Sequence, residues 1–188
     1  LRAGMVAPSL VIDVKKITEM MTISQDDGVF TIGAAVASAE LGEHPALKSI
    51  WPGVVEAMDL VGSTQIQGRA SLGGNLCNAS PAADSVPAMI TARAMCNIVG
   101  PNGRREVPVE DIATGPGQTS LASGEIVVSI TLPKRPPHSG DAYLRFIPRT
   151  EMDIAVVGAA INLTLDDDGV CIDARVSLGA VAARALIV

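Results

Sequence analysis

The apolar positions of the chain change period several times, and each change marks an element. Val11-Ile12-Asp13-Val14 follows Pro8 and reads as a short strand. Val29 to Ala35 is a second β-rich run, set up by the turn residues Asp26-Asp27-Gly28. Ser38, with Glu40 and Leu41 behind it, can cap a helix. From Trp51 to Val61 the spacing becomes helical: Trp51, Val55, Met58 and Leu60/Val61 fall three or four apart. Pro52 sits in the first turn, where a missing N–H costs nothing. Gly62 to Pro81 carries no period and reads as a long loop, of the length that usually serves a function. Asp84 or Ser85 caps the next helix, with Pro87 in its first turn and Val86, Met89, Ile90 and Ala94 along one face. Met95–Val99 and Arg104–Val109 form a hairpin about Pro101-Asn102-Gly103. Ile126 to Leu132 is a strand with Ile126, Val128, Ile130 and Leu132 on one face.

Pro133 to Gly140 holds three prolines in eight residues, which deny both helix and central strand, so it reads as a linker. Beyond it the pattern is all β: Tyr143 to Phe146, Ile154 to Leu165, and a clean alternation from Val170 to Val181. Asp166-Asp167-Asp168-Gly169 joins the last two as a hairpin turn. Val170, Ile172, Ala174, Val176 and Leu178 are expected to face inward, with Cys171, Asp173, Arg175 and Ser177 outward. The reading is an α+β protein in two parts, residues 1–136 and 137–188, without an internal repeat.

Composition narrows the function. Of 188 residues 48% are hydrophobic, which excludes a disordered tail. Net charge is −6, and aromatics are only 2%, so neither a basic nucleic-acid surface nor a base-stacking platform is present; no nucleic acid is expected as partner. No apolar run approaches the roughly 18 residues of a bilayer span, and no signal peptide opens the chain. Cys77, Cys96 and Cys171 are scattered, which fits a reducing compartment; a cytoplasmic location is expected. They form no C-x-x-C pair for a zinc or iron–sulfur site. The chain starts at Leu1 and stops at Val188 inside an apolar stretch, so it reads as a fragment.

The sharpest chemical signal is Ser71-Leu72-Gly73-Gly74-Asn75. Two glycines let a backbone turn tightly and let bare N–H groups approach an anion; Ser71 and Asn75 add side chains able to bond phosphate oxygens. A plain glycine turn explains the five residues equally well. Asp84, nine residues on, could accept bonds from sugar or ribityl hydroxyls. Other candidates are weaker. Gly115-Pro116-Gly117 meets Ser120 where a dinucleotide fingerprint needs glycine. Asp166 to Asp168 reads as a solvated turn, and His44 and His138 have no spaced partner. Glu151 and Asp153 read as a polar pair at the start of a strand, and Cys77 as a small packed thiol.

The run GSTQIQGRASLGGNLCNASPAADSVPAM, Gly62 to Met89, closely resembles the flavin-binding (medium) subunit of the molybdenum hydroxylases, of the carbon monoxide dehydrogenase and xanthine dehydrogenase type. The resemblance continues through IGAAVASAELGEHPAL (Ile32 to Leu47), GEIVVSITLP (Gly124 to Pro133) and RFIPRTEMDIAVVGAA (Arg145 to Ala160). It implies an FAD-binding domain of the vanillyl-alcohol-oxidase/PCMH type over 1–136. The start of an α+β C-terminal domain with antiparallel strands follows over 137–188. It implies that Ser71, Leu72, Gly73, Gly74 and Asn75 cradle the FAD pyrophosphate and that Asp84 bonds a flavin hydroxyl. The backbone near Ile126 or Val127 is then expected against the isoalloxazine, with Arg145 where some relatives carry a lysine near the ring. Val61 stands where some relatives have an aromatic.

The implied activity is electron transfer. FAD on this chain passes electrons from [2Fe–2S] clusters of a small partner subunit to an external acceptor. A large subunit with the molybdenum cofactor oxidises the substrate, in a heterotrimeric complex that can itself dimerise. No residue of this chain is expected to act as a general base. The family's upstream A-G-G-type FAD loop is missing here, as is most of the helical part of the C-terminal domain. Two alternatives stay open: another PCMH-type flavin oxidase or reductase, and a non-catalytic remnant of the fold.

Overall fold

A computed structural model describes residues 7–150 and 152–188; Glu151, half of the polar pair above, lies outside the described residues. The architecture is α+β with antiparallel strand pairing. A four-residue helix α1 (Thr18–Met21) leads into the hairpin β1 (Ile23–Asp26) and β2 (Val29–Gly33). Helices α2 (Ser38–Glu43), α3 (Pro45–Ile50), α4 (Pro52–Asp59), α5 (Thr64–Gln67), α6 (Leu72–Cys77) and α7 (Ser85–Thr91) follow. Next come the hairpin β3 (Met95–Gly100) and β4 (Gly103–Pro108), the small ribbon β5 (Ala113–Gly115) and β6 (Gln118–Thr119), and β7 (Ile126–Leu132). The chain ends in β8 (Ser139–Phe146), β9 (Val157–Leu165), β10 (Cys171–Gly179) and β11 (Leu186–Ile187).

Two sheets result. One has the order β1-β2-β7-β3-β4 and ends at Leu132; the other, β11-β10-β9-β8, begins at Ser139. A continuous buried cluster runs from Ile32, Cys96 and Ile130 through Val54, Met58, Met89 and Ile90 to Tyr143 and Ala160 of the second sheet. Helix α7 is buried at all seven positions and packs on β9 and β10, while α4 packs on β8. The proline-rich stretch between the sheets is pinned: the Arg135 guanidinium lies 4.4 Å from the Trp51 ring and pairs with Asp141 at 2.6 Å.

The helical period of Trp51 to Val61 and the two expected hairpins, β3–β4 and β9–β10, stand where the pattern puts them. The Asp166 carboxylate closes the last hairpin by accepting from the N–H groups of Asp168 and Val170.

Other expectations need correction. Residues 11–13 are not a strand: Asp13 accepts from Lys15 N at 3.1 Å and caps a 3₁₀ turn, Val14–Lys16. Local side-chain capping outcompetes the extended state there, with no neighbouring strand to pair with. Ser38 is the first residue of α2, not its cap, and its hydroxyl donates to Gln67 O at 3.1 Å. Gly62 to Pro81 is not one long loop but holds α5 and α6, helices of four and six residues. Each is too short to show a helical period. In β7, Val128, Ile130 and Leu132 are buried as expected, but Ile126 is not. The register slips between Asn97 and Ile98, so Ile98 pairs with Val127; Val127 is buried and Ile126 exposed.

The largest correction concerns β10. Ile172 is 64% exposed, whereas Ser177 is fully buried. The inward face carries Arg175, Ser177 and Gly179, with Asp173 at its exposed end, because it meets the C-terminal end of α7. The last-turn carbonyls of a helix lack intrahelical partners. Arg175 Nε donates to Ile90 O at 2.8 Å, and Asn162 Nδ2 to Thr91 O at 3.1 Å. Arg175 also pairs with Glu110 at 2.5 Å. The apolar face of the same sheet, including Leu144, Phe146 and Ile161, is left exposed.

Candidate functional site

The segment Ser71 to Asn75 forms the start of α6. Ser71 is extended and its Oγ accepts from Gly74 N at 3.1 Å, an N-cap. Gly73 N donates to Ala34 O at 3.0 Å, docking α6 on the end of β2. A Cβ on Gly73 would lie 2.6 Å from the Ala34 Cβ and 2.7 Å from its carbonyl oxygen, so this glycine serves close packing. Neither Gly73 nor Gly74 has a positive φ, so no tight glycine turn exists here. A Cβ on Gly74 would meet only Ser71 Oγ, at 3.1 Å, and otherwise project into open space.

That space is a cavity of about 260 Å³. Ser71, Gly73, Gly74 and Cys77 line one side; Ile126 and Val127 line another; Met20, Ala34 and Ala35 contribute from the β1–β2 region. Leu72 is fully buried, so its side chain belongs to the core. Its N–H, by contrast, donates to no protein atom among the described residues. Asn75 Oδ1 accepts from Ser85 N at 3.3 Å and from Ser85 Oγ at 2.7 Å, tying α6 to the start of α7. The Asn75 Nδ2 group has no protein acceptor among the described residues, which leaves it free to donate. The free neutral donors of the segment, among the described residues, are therefore the Ser71 and Leu72 N–H groups, the Ser71 hydroxyl and the Asn75 amide. The N–H groups of both glycines are already engaged.

Asp84 and Arg145 line a second cavity of about 180 Å³, with Gly62, Ser80 and Ala82 on one side and residues 152–155 on the other. Asp84 Oδ1 accepts from the Tyr143 hydroxyl at 2.8 Å. Arg145 Nη1 donates to Asp84 Oδ2 at 3.1 Å and to Leu60 O at 2.7 Å. Burial pushes the Asp84 carboxyl above its ordinary range, while the Tyr143 hydrogen bond and the Arg145 cation pull against that. The Tyr143 phenol is raised by burial and by the neighbouring carboxylate. A Cβ at Gly158 would overlap the Tyr143 hydroxyl, so glycine on β9 makes room for the contact.

The eight predicted site residues thus divide. Ser71, Gly73, Gly74 and Val127 share one cavity; Asp84 and Arg145 share the other; Leu72 and Asn75 line neither, Leu72 being in the core and Asn75 bonded to Ser85. Burial also raises the Cys77 thiol, in keeping with a packed group. Tyr143 was invisible as a site residue, because its partner lies 59 positions away and nothing local marks the pairing. Glu125, at the rim of the first cavity, was also missed. Arg105 and the Ala122 N–H hold its carboxyl down at about 2. Among the described residues no group of three or more His, Cys, Asp or Glu can hold a metal ion.

The chain is similar to known proteins in sequence and in fold. The chain is 33% identical over 159 residues to the xanthine dehydrogenase FAD-binding subunit of Escherichia coli O157:H7, covering 84% of this chain and 54% of that protein. It is 31% identical over 167 residues to the nicotinate dehydrogenase FAD-subunit of Eubacterium barkeri, covering 87% of this chain and 56% of that one. It therefore spans a little over half the length of these relatives. A solved structure of carbon monoxide dehydrogenase from Hydrogenophaga pseudoflava, in a form lacking the Mo-pyranopterin moiety, superposes with a TM-score of 0.92 at 29% identity. That superposition covers 98% of this chain and 64% of the solved one. Residues 142–188 match the CO dehydrogenase flavoprotein C-terminal domain. Residues 1–135 match the FAD binding domain in molybdopterin dehydrogenase, and with that the chain belongs to this family.

Proposed function

We propose that this chain forms the FAD-carrying part of a molybdenum hydroxylase complex. There it passes electrons from the [2Fe–2S] clusters of a small partner subunit to an external acceptor. A large partner subunit would hold the molybdenum cofactor and oxidise the substrate. The observation that carries the reading is the cavity between α6 and β7. It has a glycine where a side chain would fill it, and free neutral donors stand beside it. When bound, FAD supplies the redox chemistry; the protein supplies position and electrostatics.

In this reading Ser71 and Asn75 donate from their side chains to the diphosphate and Leu72 donates from its backbone. Gly73 keeps α6 against β2, and Gly74 keeps the space clear. Val127 and the adjoining backbone of β7 wall off one side from water. Asp84 accepts from a hydroxyl of the cofactor while Tyr143 and Arg145 orient its carboxylate. Arg145 presents the cation of the second cavity. The division between the FAD-binding unit, 1–136, and the C-terminal unit, 137–188, falls in the proline-rich stretch. A cytoplasmic heterotrimer, further dimerised, is the proposed setting; no helix among the described residues is long and apolar enough to cross a membrane.

The test is flavin content. Full-length protein purified with its partners is expected to carry FAD, seen in its visible absorption and released on denaturation. Purified apo protein that takes up no FAD on reconstitution would overturn the reading.

A further inference from the structure

The inference here rests on the reading of the α6–β7 cavity as the FAD site. We infer that Lys15 is the cationic ligand of the cofactor's diphosphate. The free donors of Ser71 to Asn75 are all neutral, and the N–H groups of Gly73 and Gly74 are engaged by Ala34 O and Ser71 Oγ. A diphosphate carries formal negative charge on both phosphorus centres. A protein of net charge −6 offers no general attraction to it, so a local cation would add what the neutral donors cannot supply.

Lys15 is placed to supply it. The Asp13 cap fixes the 3₁₀ turn Val14–Lys16, and Val14 lines the cavity. The Lys15 ammonium donates to the carbonyl of Ala35, which lines the same cavity. One of its three N–H groups is spent there, and two remain for an anion. Lys15 makes no ion pair among the described residues, and neither does Arg69, two residues before Ser71. These two cations are close enough to repel each other. Partial burial foremost, and then that repulsion, lowers the Lys15 pKa, while Asp13 and Glu40 act in the opposite direction. A bound diphosphate would relieve the repulsion.

The experiment uses the full-length protein and FAD as probe, with affinity followed by flavin fluorescence across a sodium chloride series. Lys15→Met is expected to weaken FAD binding about tenfold or more, the scale of one charge-assisted hydrogen bond. It should also flatten the salt dependence; Lys15→Arg should restore both. A merely structural tether would change the melting temperature of the apo protein but leave the salt dependence as in the parent. If Lys15→Met binds FAD within about twofold of the parent with the same salt dependence, Lys15 is not the ligand and the cofactor reading stands. Should Lys15→Met not fold, an FAD affinity of the parent that is insensitive to salt refutes the assignment by itself. A parent that binds no FAD removes both readings together.

Discussion

The hydroxyl of Tyr143 donates to Asp84 Oδ1 at 2.8 Å, joining β8 of the second sheet to the start of α7 beneath the candidate site. Both residues are buried. Ser85, next in sequence, is held by Asn75, so one chain of contacts runs from the second sheet to α6. The geometry of the α6 segment therefore depends on a sheet that contributes no residue to its cavity.

Tyr143→Phe should remove that contact with little change of shape. One oxygen of a buried carboxylate then loses a donor, which costs about 1–2 kcal/mol. Urea unfolding is expected to show this loss, together with a further rise of the Asp84 pKa. A variant as stable as the parent would mean that the hydroxyl is not holding the carboxylate.

Gly73 and Gly74 should separate in their effects. Gly73→Ala forces a methyl onto Ala34 and should destabilise the fold by about 1–3 kcal/mol. A Cβ on Gly74 meets only Ser71 Oγ, so Gly74→Val should fold, yet its side chain would occupy the cavity and abolish FAD retention. Thermal melting and flavin content, measured on both variants, distinguish the two outcomes.

Asn75 has one oxygen in use and one nitrogen free. Asn75→Ala should lose the Ser85 contacts and about 1 kcal/mol of stability. Asn75→Asp keeps the acceptor, removes the donor and adds negative charge. It should match the parent in unfolding while binding FAD more weakly. Equal FAD affinity in Asn75→Asp would exclude the amide from the diphosphate site.

Glu125 sets an acid limb. Its carboxyl is held at about 2, below the ordinary 4.5, by Arg105 and the Ala122 N–H. Between those values the unfolded chain binds more protons than the folded one. The contribution is therefore complete above the ordinary range and fades as pH falls through about 2. Glu125→Gln is expected to be less stable at neutral pH and to lose stability less steeply from pH 4.5 toward 2. Chemical denaturation at several acidic pH values reads the slope directly.

The exposed face of the second sheet should bind an environment-sensitive hydrophobic dye in the 188-residue chain on its own. Leu144→Ser combined with Phe146→Ser should lower the dye signal. Stability should barely move, because both side chains already stand in solvent.

Much was legible along the chain. Trp51 to Val61 announced α4 because an eight-residue helix shows its period. Asp166 to Gly169 announced a hairpin because Asp side chains and glycine suit a turn by local chemistry alone. The Gly62 to Met89 run pointed to the family, and the family matched. Elements that depend on partners were not legible. The helix α6 has six residues, too few for a period, and exists because Ser71 caps it and Ala34 receives it. The slip that buries Val127 in place of Ile126 comes from pairing with β3, some 30 residues earlier.

The sequence by itself determined that the strand from Cys171 to Gly179 has one apolar and one polar face. Only the tertiary structure decided which face goes inside. Alternation is unchanged when the two faces are exchanged, so periodicity carries no sign. The sign was set by the end of α7, where the Thr91 carbonyl has no backbone donor among the described residues and the Ile90 carbonyl, taken by Arg93 N at 3.0 Å, has its second lone pair free. Arg175 on this strand and Asn162 on its neighbour were the donors able to meet them.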